Sequence, residues 1–233
     1  MTFKRIARLI ARRHRAIASF IAKPAPGMNG NALHIHASLN RNGKSAFFNP
    51  DDPEGISMTT RMFIGGLLAH AKGLCRIANT TINSFKRLTP GFEAPCTISW
   101  SLANRSALVR VPAARGNGTR IELRNPDAMC NPYLLIAGMM AAGMDGIRNR
   151  IIPPDPTDCN VYRLSKSQRK RHHVGMLPSD LSEAQECLMD DPMLCTTFGP
   201  YILDTLTGIA KRECEEFSTT IHPWEIRRYF HMG

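Results

Sequence analysis

A chain of 233 residues with 43% hydrophobic side chains can bury one sizeable core, and it has no apolar run near the roughly 20 residues of a membrane span, so a soluble protein with no membrane partner is expected. Seven cysteines, scattered and without a Cys-x-x-Cys pair, argue against a disulfide framework or a zinc site and fit a reducing, cytoplasmic compartment. The net charge of +11 would suit a nucleic-acid binder, but the basic residues are dispersed and no helix-turn-helix, zinc-finger or RNA-binding signature accompanies them, so nucleic acid is not an expected partner. Charge is nonetheless unevenly distributed. No Asp or Glu precedes Asp51, whereas Lys4, Arg5, Arg8, Arg12, Arg13, Arg15, Lys23, Arg41 and Lys44 do.

Residues 3–21 carry apolar side chains at near-helical spacing (Phe3, Ile6, Leu9, Ile10, Ile17, Phe20) with arginines between them, which predicts an amphipathic helix. A mitochondrial transit peptide has similar features, but this segment is not serine-rich. Pro24, Pro26 and Gly27 stop the helix. Residues 29–39 then alternate so that His34, His36 and Ser38 share one strand face and Leu33, Ile35 and Leu39 the other. Two histidines on one face suit a metal or phosphate, although a structural role is the alternative and two nitrogens do not complete a metal shell. Ser57 reads as the N-cap of a helix running to about residue 78, with Met62, Phe63, Leu67, Ala71, Leu74 and Cys75 on its core face.

Residues 83–95 are predicted to lack a regular element, because Pro90-Gly91 and Pro95 interrupt them; the loop is either a flap over a site or solvent-exposed. Short strands are expected over 96–101 and 107–111. Residues 119–124 form a further strand, with Arg120, Glu122 and Arg124 on one face and Ile121 and Leu123 on the other. A face reading plus, minus, plus is either the solvated side of an antiparallel sheet or the floor of a site holding a metal and an anion. Arg105, Arg110, Arg115, Arg120 and Arg124, five arginines within twenty residues, suit a polyanion such as ATP. No Walker-type loop is present.

Pro132 opens a buried helix, predicted from Tyr133 to Met144, and Pro153, Pro154 and Pro156 end the core. Residues 1–155 are therefore read as the core and 156–233 as a helical appendage. The appendage comprises a helix capped by Asp180, a helix over about 200–217 and a closing element over 224–230. The basic run at 166–173 is read as a solvated loop in preference to a nucleic-acid or nuclear-targeting segment.

The runs NGNALHIHASL (29–39), NSFKRLTPGFEAP (83–95), NRSALVRVPAARG (104–116), TRIELRNPDAMCNPYL (119–134) and AAGMDGIRN (141–149) resemble, in that order, the signature blocks of the bacterial-type glutamine synthetase family. The opening TFKRIARLIARRH and closing PWEIRRYF extend the resemblance over nearly the whole chain. It implies an α+β fold: part of a curved, mostly antiparallel sheet backed by helices, plus C-terminal helices. It also implies an ATP-dependent ligase that phosphorylates the γ-carboxylate of glutamate and lets ammonia displace the phosphate, with Mg2+ or Mn2+ stabilising the transferred group. By matched motif, His34 and Glu122 would be metal ligands. His36, Ser38, Arg105, Arg110 and Arg120 would contact ATP, and Asn29, Gly30, Arg87, Arg105 and Arg124 would hold glutamate. Arg105 and Glu93 would be the catalytic pair, Glu93 lying on a flap that shields the γ-glutamyl phosphate from water and takes a proton from ammonium.

Two departures bear on amine choice. Asn31-Ala32-Leu33-His34 stands where the family usually has Ser-Gly-Met-His, and Ala103 where it has Arg, so a ligase for a larger amine is the alternative. The resemblance also implies a homo-oligomer for the full-length family. It further implies that the family's N-terminal half, with its other metal-binding glutamates, has no counterpart here. The chain alone is then expected to be inactive or nearly so, or to be a noncatalytic remnant that associates with an intact homologue. Tyr162 lies where some family members carry a regulatory, nucleotidylated tyrosine.

Overall fold

Helix α1 (Thr2–Arg13) is shorter than its apolar spacing predicts, because Arg15 takes left-handed backbone (φ 54) and closes it. Ala16 N–H donates to the Ala11 carbonyl at 2.9 Å and Arg15 N–H to the Arg12 carbonyl at 3.1 Å, which is a Schellman end with arginine in place of the usual glycine. The chain then turns back so that Phe20 meets the Phe3 ring edge-on, with Lys4 and Arg8 over its face. No residue of α1 is buried, and Phe3 is 75% exposed. The computed structural model describes residues 2–91, 94–157, 159, 165–171 and 174–232.

The main sheet has the order β1-β7-β6-β5, with β1 at Ile35–Ala37, β5 at Trp100–Ser101, β6 at Val109–Arg110 and β7 at Ile121–Leu123. β1, β7 and β6 pair antiparallel, and β6 pairs parallel to β5. The sheet and the helices around it make the expected α+β fold. A hairpin joins β2 (Asn40–Arg41) to β3 (Lys44–Ser45) through Asn42 and Gly43, both at positive φ as the twist of a two-residue turn requires. β4 (Thr97–Ile98) pairs with β8 (Gly175–Met176).

The helix expected from Ser57 is two helices, α2 (Met58–Ala69) and α3 (Ala71–Ala78), separated at His70. Ser57 caps α2 by accepting from Thr60 N–H. α4 (Ile82–Arg87) occupies part of the stretch expected to be irregular. A reciprocal capping box between Thr81 and Ser84 starts it, with serine in the role usually taken by Glu or Gln. α5 (Pro132–Arg148) ends in a second Schellman arrangement around Arg150 (φ 53).

α2 and α5 cross in backbone contact. A methyl on Gly66 would lie 2.0 Å from the Ala142 carbonyl, one on Gly146 would lie 2.1 Å from that of Met62, and one on Gly143 would enter the Phe63 ring. On this seam stands the core of Phe63, Ile64, Leu67, Leu74, Leu135 and Met139, continuous with Trp100, Ile121 and Leu123 from the sheet.

α6 (Lys166–Arg171) is followed by α7 (Leu181–Met189), whose cap is Asp180 as expected. α8 (Pro192–Thr219) contains a break at Gly199 (φ 72) before Pro200, and α9 is Pro223–Tyr229. Leu188, Leu194 and Phe198 enter the same core as α3 and α5. Buried Arg76 of α3 donates to Gln185 Oε1 at 2.8 Å and to the Leu206 carbonyl at 2.9 Å. No helix among the described residues is long and apolar enough to cross a membrane.

His70 joins three helices at the α2–α3 break. Its Nδ1 lies 2.7 Å from Asp191 at the start of α8, and its Nε2 3.1 Å from Asp145 on α5. Two carboxylate acceptors require both ring nitrogens to donate, hence the imidazolium. Burial works against that charge, but the bonds to Asp191 and Asp145 outweigh it and raise the pKa above 6.5. A raised histidine pKa stabilises the fold fully below the unfolded-state value and ceases to do so as pH climbs through the folded-state value. His70→Gln is therefore expected to lower unfolding stability by about 2 kcal/mol near pH 6. The difference from wild type should shrink steadily at alkaline pH in urea titrations.

Candidate functional site

The antiparallel register puts His36 opposite Glu122 and Arg110 opposite Glu122 on the other side, so three charged or polar side chains meet across three strands. Ile121 and Leu123 face the core, as alternation predicts, but Glu122 is itself only 3% exposed. That burial rules out the solvated-face reading. A buried carboxylate needs partners, and this one has them. Its Oε2 accepts from Arg110 Nε at 2.6 Å, and its Oε1 from Arg124 Nη1 at 3.0 Å, with His34 Nδ1 at 2.9 Å from the same oxygen. Burial alone would raise the Glu122 pKa, yet Arg124 and Arg110 pull it below the usual carboxylate value. His34 is shifted down, first by burial and then by the Arg124 charge, which favours the neutral imidazole.

These protonation states are the ones metal ligation requires, an ionised carboxylate and a neutral imidazole. The nitrogen placed to share a cation with Glu122 is Nδ1, 2.9 Å from its Oε1, so the ring would ligate through Nδ1 and keep its proton on Nε2. An imidazole nitrogen and a carboxylate oxygen fit a divalent cation as part of a shell. Among the described residues no group of three or more His, Cys, Asp or Glu side chains is arranged to hold a metal, so a complete shell needs donors beyond these two.

A cavity of about 80 Å³ opens beside this pair, lined by Asn29, Gly30, Ala32, His34, Arg87, Ala94 and Arg124. Arg87 reaches it from the end of α4 and is 2% exposed. Its Nη1 donates to the Asn125 carbonyl at 2.6 Å and its Nη2 to the Arg124 carbonyl at 3.3 Å. Gly30 is required by contact: a methyl there would lie 2.7 Å from Arg87 Cγ and 2.5 Å from the Ala22 carbonyl. The loop bearing Asn29 and Gly30 is held by Asn31, which donates its backbone N–H to the Ala22 carbonyl at 2.8 Å and its side-chain amide to that of Ile21 at 2.7 Å. Asn83 of α4 exchanges hydrogen bonds with the Lys23 backbone at 2.7 and 3.0 Å, so the same helix that presents Arg87 anchors the loop's approach.

Asn29, Gly30, His34, Arg87, Arg124 and Glu122 are thus brought together. His36 is beside them, its Nε2 at 4.0 Å from Glu122, and Arg120 Nε donates to His36 Nδ1 at 3.2 Å. Ser38 follows β1 and is exposed; Arg105 is exposed in the β5–β6 connection, where its carbonyl accepts from Arg124 Nε at 3.1 Å. Arg115, one of the five closely spaced arginines, instead pins a loop: its Nε and Nη1 donate to the carbonyls of Glu54 and Pro112, both at 2.6 Å. Glu93, Tyr162 and the two histidines of the basic run, His172 and His173, lie outside the described residues. Asn79, Asn125 and Asp127 form a buried polar set behind the cavity; Asn125 and Asp127 lie in the 119–134 run, but nothing in their residue types ties them to Asn79, more than forty residues earlier.

The family model of the glutamine synthetase catalytic domain matches residues 1–229. Glutamine synthetase of Thermotoga maritima is 46% identical over 231 residues, covering 99% of this chain and 53% of its own length. That of Thermus thermophilus is 44% identical over 228 residues, covering 98% and 51%. Among solved structures, one described as "Apo GmaS without ligand" superposes with a TM-score of 0.85 at 33% identity over 99% of this chain and 52% of that one. A "GmaS/ADP complex" gives 0.87 at 32% identity over 98% and 53%. The chain spans about half the length of the curated relatives it matches.

Removing the Glu122 charge would leave Arg110 and Arg124 facing each other. Glu122→Gln is expected to destabilise the fold by about 2 kcal/mol at neutral pH. Because the Glu122 pKa is depressed, its contribution is present above the ordinary value of 4.5 and is lost as pH falls through the folded-state value. Urea midpoints of the two proteins should therefore converge in acid.

Proposed function

The chain belongs to the glutamine synthetase catalytic-domain family, and we propose that it carries the glutamate-holding face and part of the metal-holding face of an ATP-dependent glutamate–ammonia ligase. The observation that supports this reading most is the cavity in which Arg87, Arg124, Asn29 and Gly30 converge beside His34. Guanidinium forks match carboxylates, so Arg87 would hold one carboxylate of glutamate and Arg124 would steer the other toward the reacting side. The backbone carbonyls and the Asn29 side-chain oxygen in this loop would accept from the ammonium group.

His34 and Glu122 would hold a divalent cation, which when bound supplies electrostatic stabilisation of phosphoryl transfer. Arg110, already at Glu122, and Arg105 and Arg120 at the rim would contact ATP phosphates, with His36 and Ser38 also on the nucleotide side. Glu93 would guard the acyl phosphate and accept the ammonium proton. All the cavity-lining residues precede residue 155, within the proposed catalytic core over 1–155, and the proposed helical appendage over 156–233 packs into that core through Leu188, Leu194 and Phe198.

A metal-assisted phosphoryl transfer needs more ligands than His34 and Glu122. Little or no turnover by this chain alone is therefore part of the proposal, as is its association with an intact homologue. A ligase for a larger amine is the second reading. It rests on the altered loop Asn31-Ala32-Leu33, of which Ala32 lines the cavity, and on Ala103 where the family usually has the larger arginine.

Calorimetric titration tests the first reading. Glutamate should bind the purified chain, and Arg87→Ala should weaken binding by about tenfold or more. Undiminished affinity in that variant would overturn the assignment of the cavity. Phosphate release measured with ATP, Mg2+, glutamate and either ammonium or a series of primary alkylamines should stay near background. Brisk turnover would refute the incomplete-shell proposal, and the amine preferred would decide between the two ligase readings.

A further inference from the structure

Three residues behind the cavity, Asn79, Asn125 and Asp127, form a buried network that meets the site at Arg87. Asn79 is the C-cap of α3 and 0% exposed. Its Nδ2 donates to the Asn125 carbonyl at 2.9 Å and to Asp127 Oδ2 at 3.2 Å, while its Oδ1 accepts from Asn125 Nδ2 at 3.1 Å. The Asn125 carbonyl is the acceptor that also receives Arg87 Nη1 at 2.6 Å.

That carbonyl has two lone-pair directions, one taken by Asn79 and the other by Arg87. Its orientation is not set by a strand ladder, because β7 ends at Leu123 and residues 124–126 are irregular. Backbone bonds anchor the residues on either side of it, and the carbonyl itself is met by side chains: Asn79 makes two bonds to Asn125, donating to its carbonyl and accepting from its side-chain amide. The same short segment holds the other wall of the cavity: Leu33 N–H donates to the Pro126 carbonyl at 2.9 Å and Ala32 bridges to Asp127. Asp127 N–H in turn donates to the Ala78 carbonyl at 3.2 Å, next to Asn79.

We propose that Asn79 is a positioning residue for the cavity, orienting the Arg87 guanidinium through the Asn125 carbonyl and thereby setting affinity for the carboxylate of an amino-acid substrate. The consequence for glutamate rests on the ligase reading above; the orienting role does not. Asn79 acts from the helical layer, without touching the substrate. It couples the end of α3 to both walls of the cavity, and because Gly30 packs against the Arg87 stem, a shift of Arg87 would move the Asn29–Gly30 loop with it.

The test compares Asn79→Ala and Asn79→Ser with Cys75→Ala, a control that removes the buried thiol donating to Asn79 Oδ1 at 3.4 Å but keeps the Asn79 amide that bonds the Asn125 carbonyl. Two quantities are measured on the full chain: the Arg87 Nε–Hε resonance in a 15N correlation spectrum, assigned by its loss in Arg87→Lys, and glutamate affinity by titration. The Arg87 resonance should shift and broaden in Asn79→Ala or, should that variant not fold, in Asn79→Ser. Glutamate affinity should fall about tenfold, the equivalent of one lost hydrogen bond. Cys75→Ala should keep both at wild-type values. An unchanged Arg87 resonance in either folded Asn79 variant, or an equal change in Cys75→Ala, overturns the proposal. If the resonance responds as expected but wild-type protein binds no glutamate, the positioning role stands and the ligase reading of the cavity falls.

Discussion

A carboxylate taken almost wholly out of water is tolerated only among compensating charges, and Glu122 sets that requirement at the centre of this sheet. Meeting it draws Arg110 from β6, Arg124 from the residue after β7 and His34 from the residue before β1 onto two oxygens. One of these partners is engaged elsewhere as well. Arg124 donates to the Arg105 carbonyl in the β5–β6 connection, and its own carbonyl receives Arg87 from α4. A single buried charge thus fixes the relative positions of the side chains that line the cavity, before any ligand is considered.

Behind that charged centre the helices are held by close approach and by a few long-range polar contacts. The α2–α5 seam brings two backbones together, and His70 and Arg76 bind α7 and α8 to it. Asn79 belongs to the same class of contact. It stands where the helical layer ends and the cavity begins, so the packing of α3 and the geometry of Arg87 are linked through one amide side chain.

Much of the sheet was legible because alternation is a local property. Ile121 and Leu123 point to the core, and His34 and His36 both reach Glu122, as a two-residue period requires. Ordered motifs also made the family legible. Other features depend on partners far along the chain. The break between α2 and α3 could not be read at His70, since its carboxylates lie 75 and 121 residues away and the apolar pattern runs through it. The burial of Glu122 was equally hidden, because residue type says a carboxylate belongs in water and only the two converging guanidinium groups, with His34 beside them, make the exception. Helix α4 was missed for a local reason, its cap being a Thr–Ser pair in place of the commoner acidic signal, and Arg115 could not be told from its neighbouring arginines without the carbonyls it binds.

The glycine seam bears on how this chain can change over generations. At Gly66 and Gly146 the space for a side chain is already filled by the opposite helix's backbone, so even alanine is too large unless the helices separate. These positions have no neutral neighbours in sequence space, whereas the exposed outer face of α1 can vary widely. Drift in this fold is therefore channelled: the seam stays fixed while the surface diversifies, and two sequences long separated would retain these glycines after most of their other similarity had decayed.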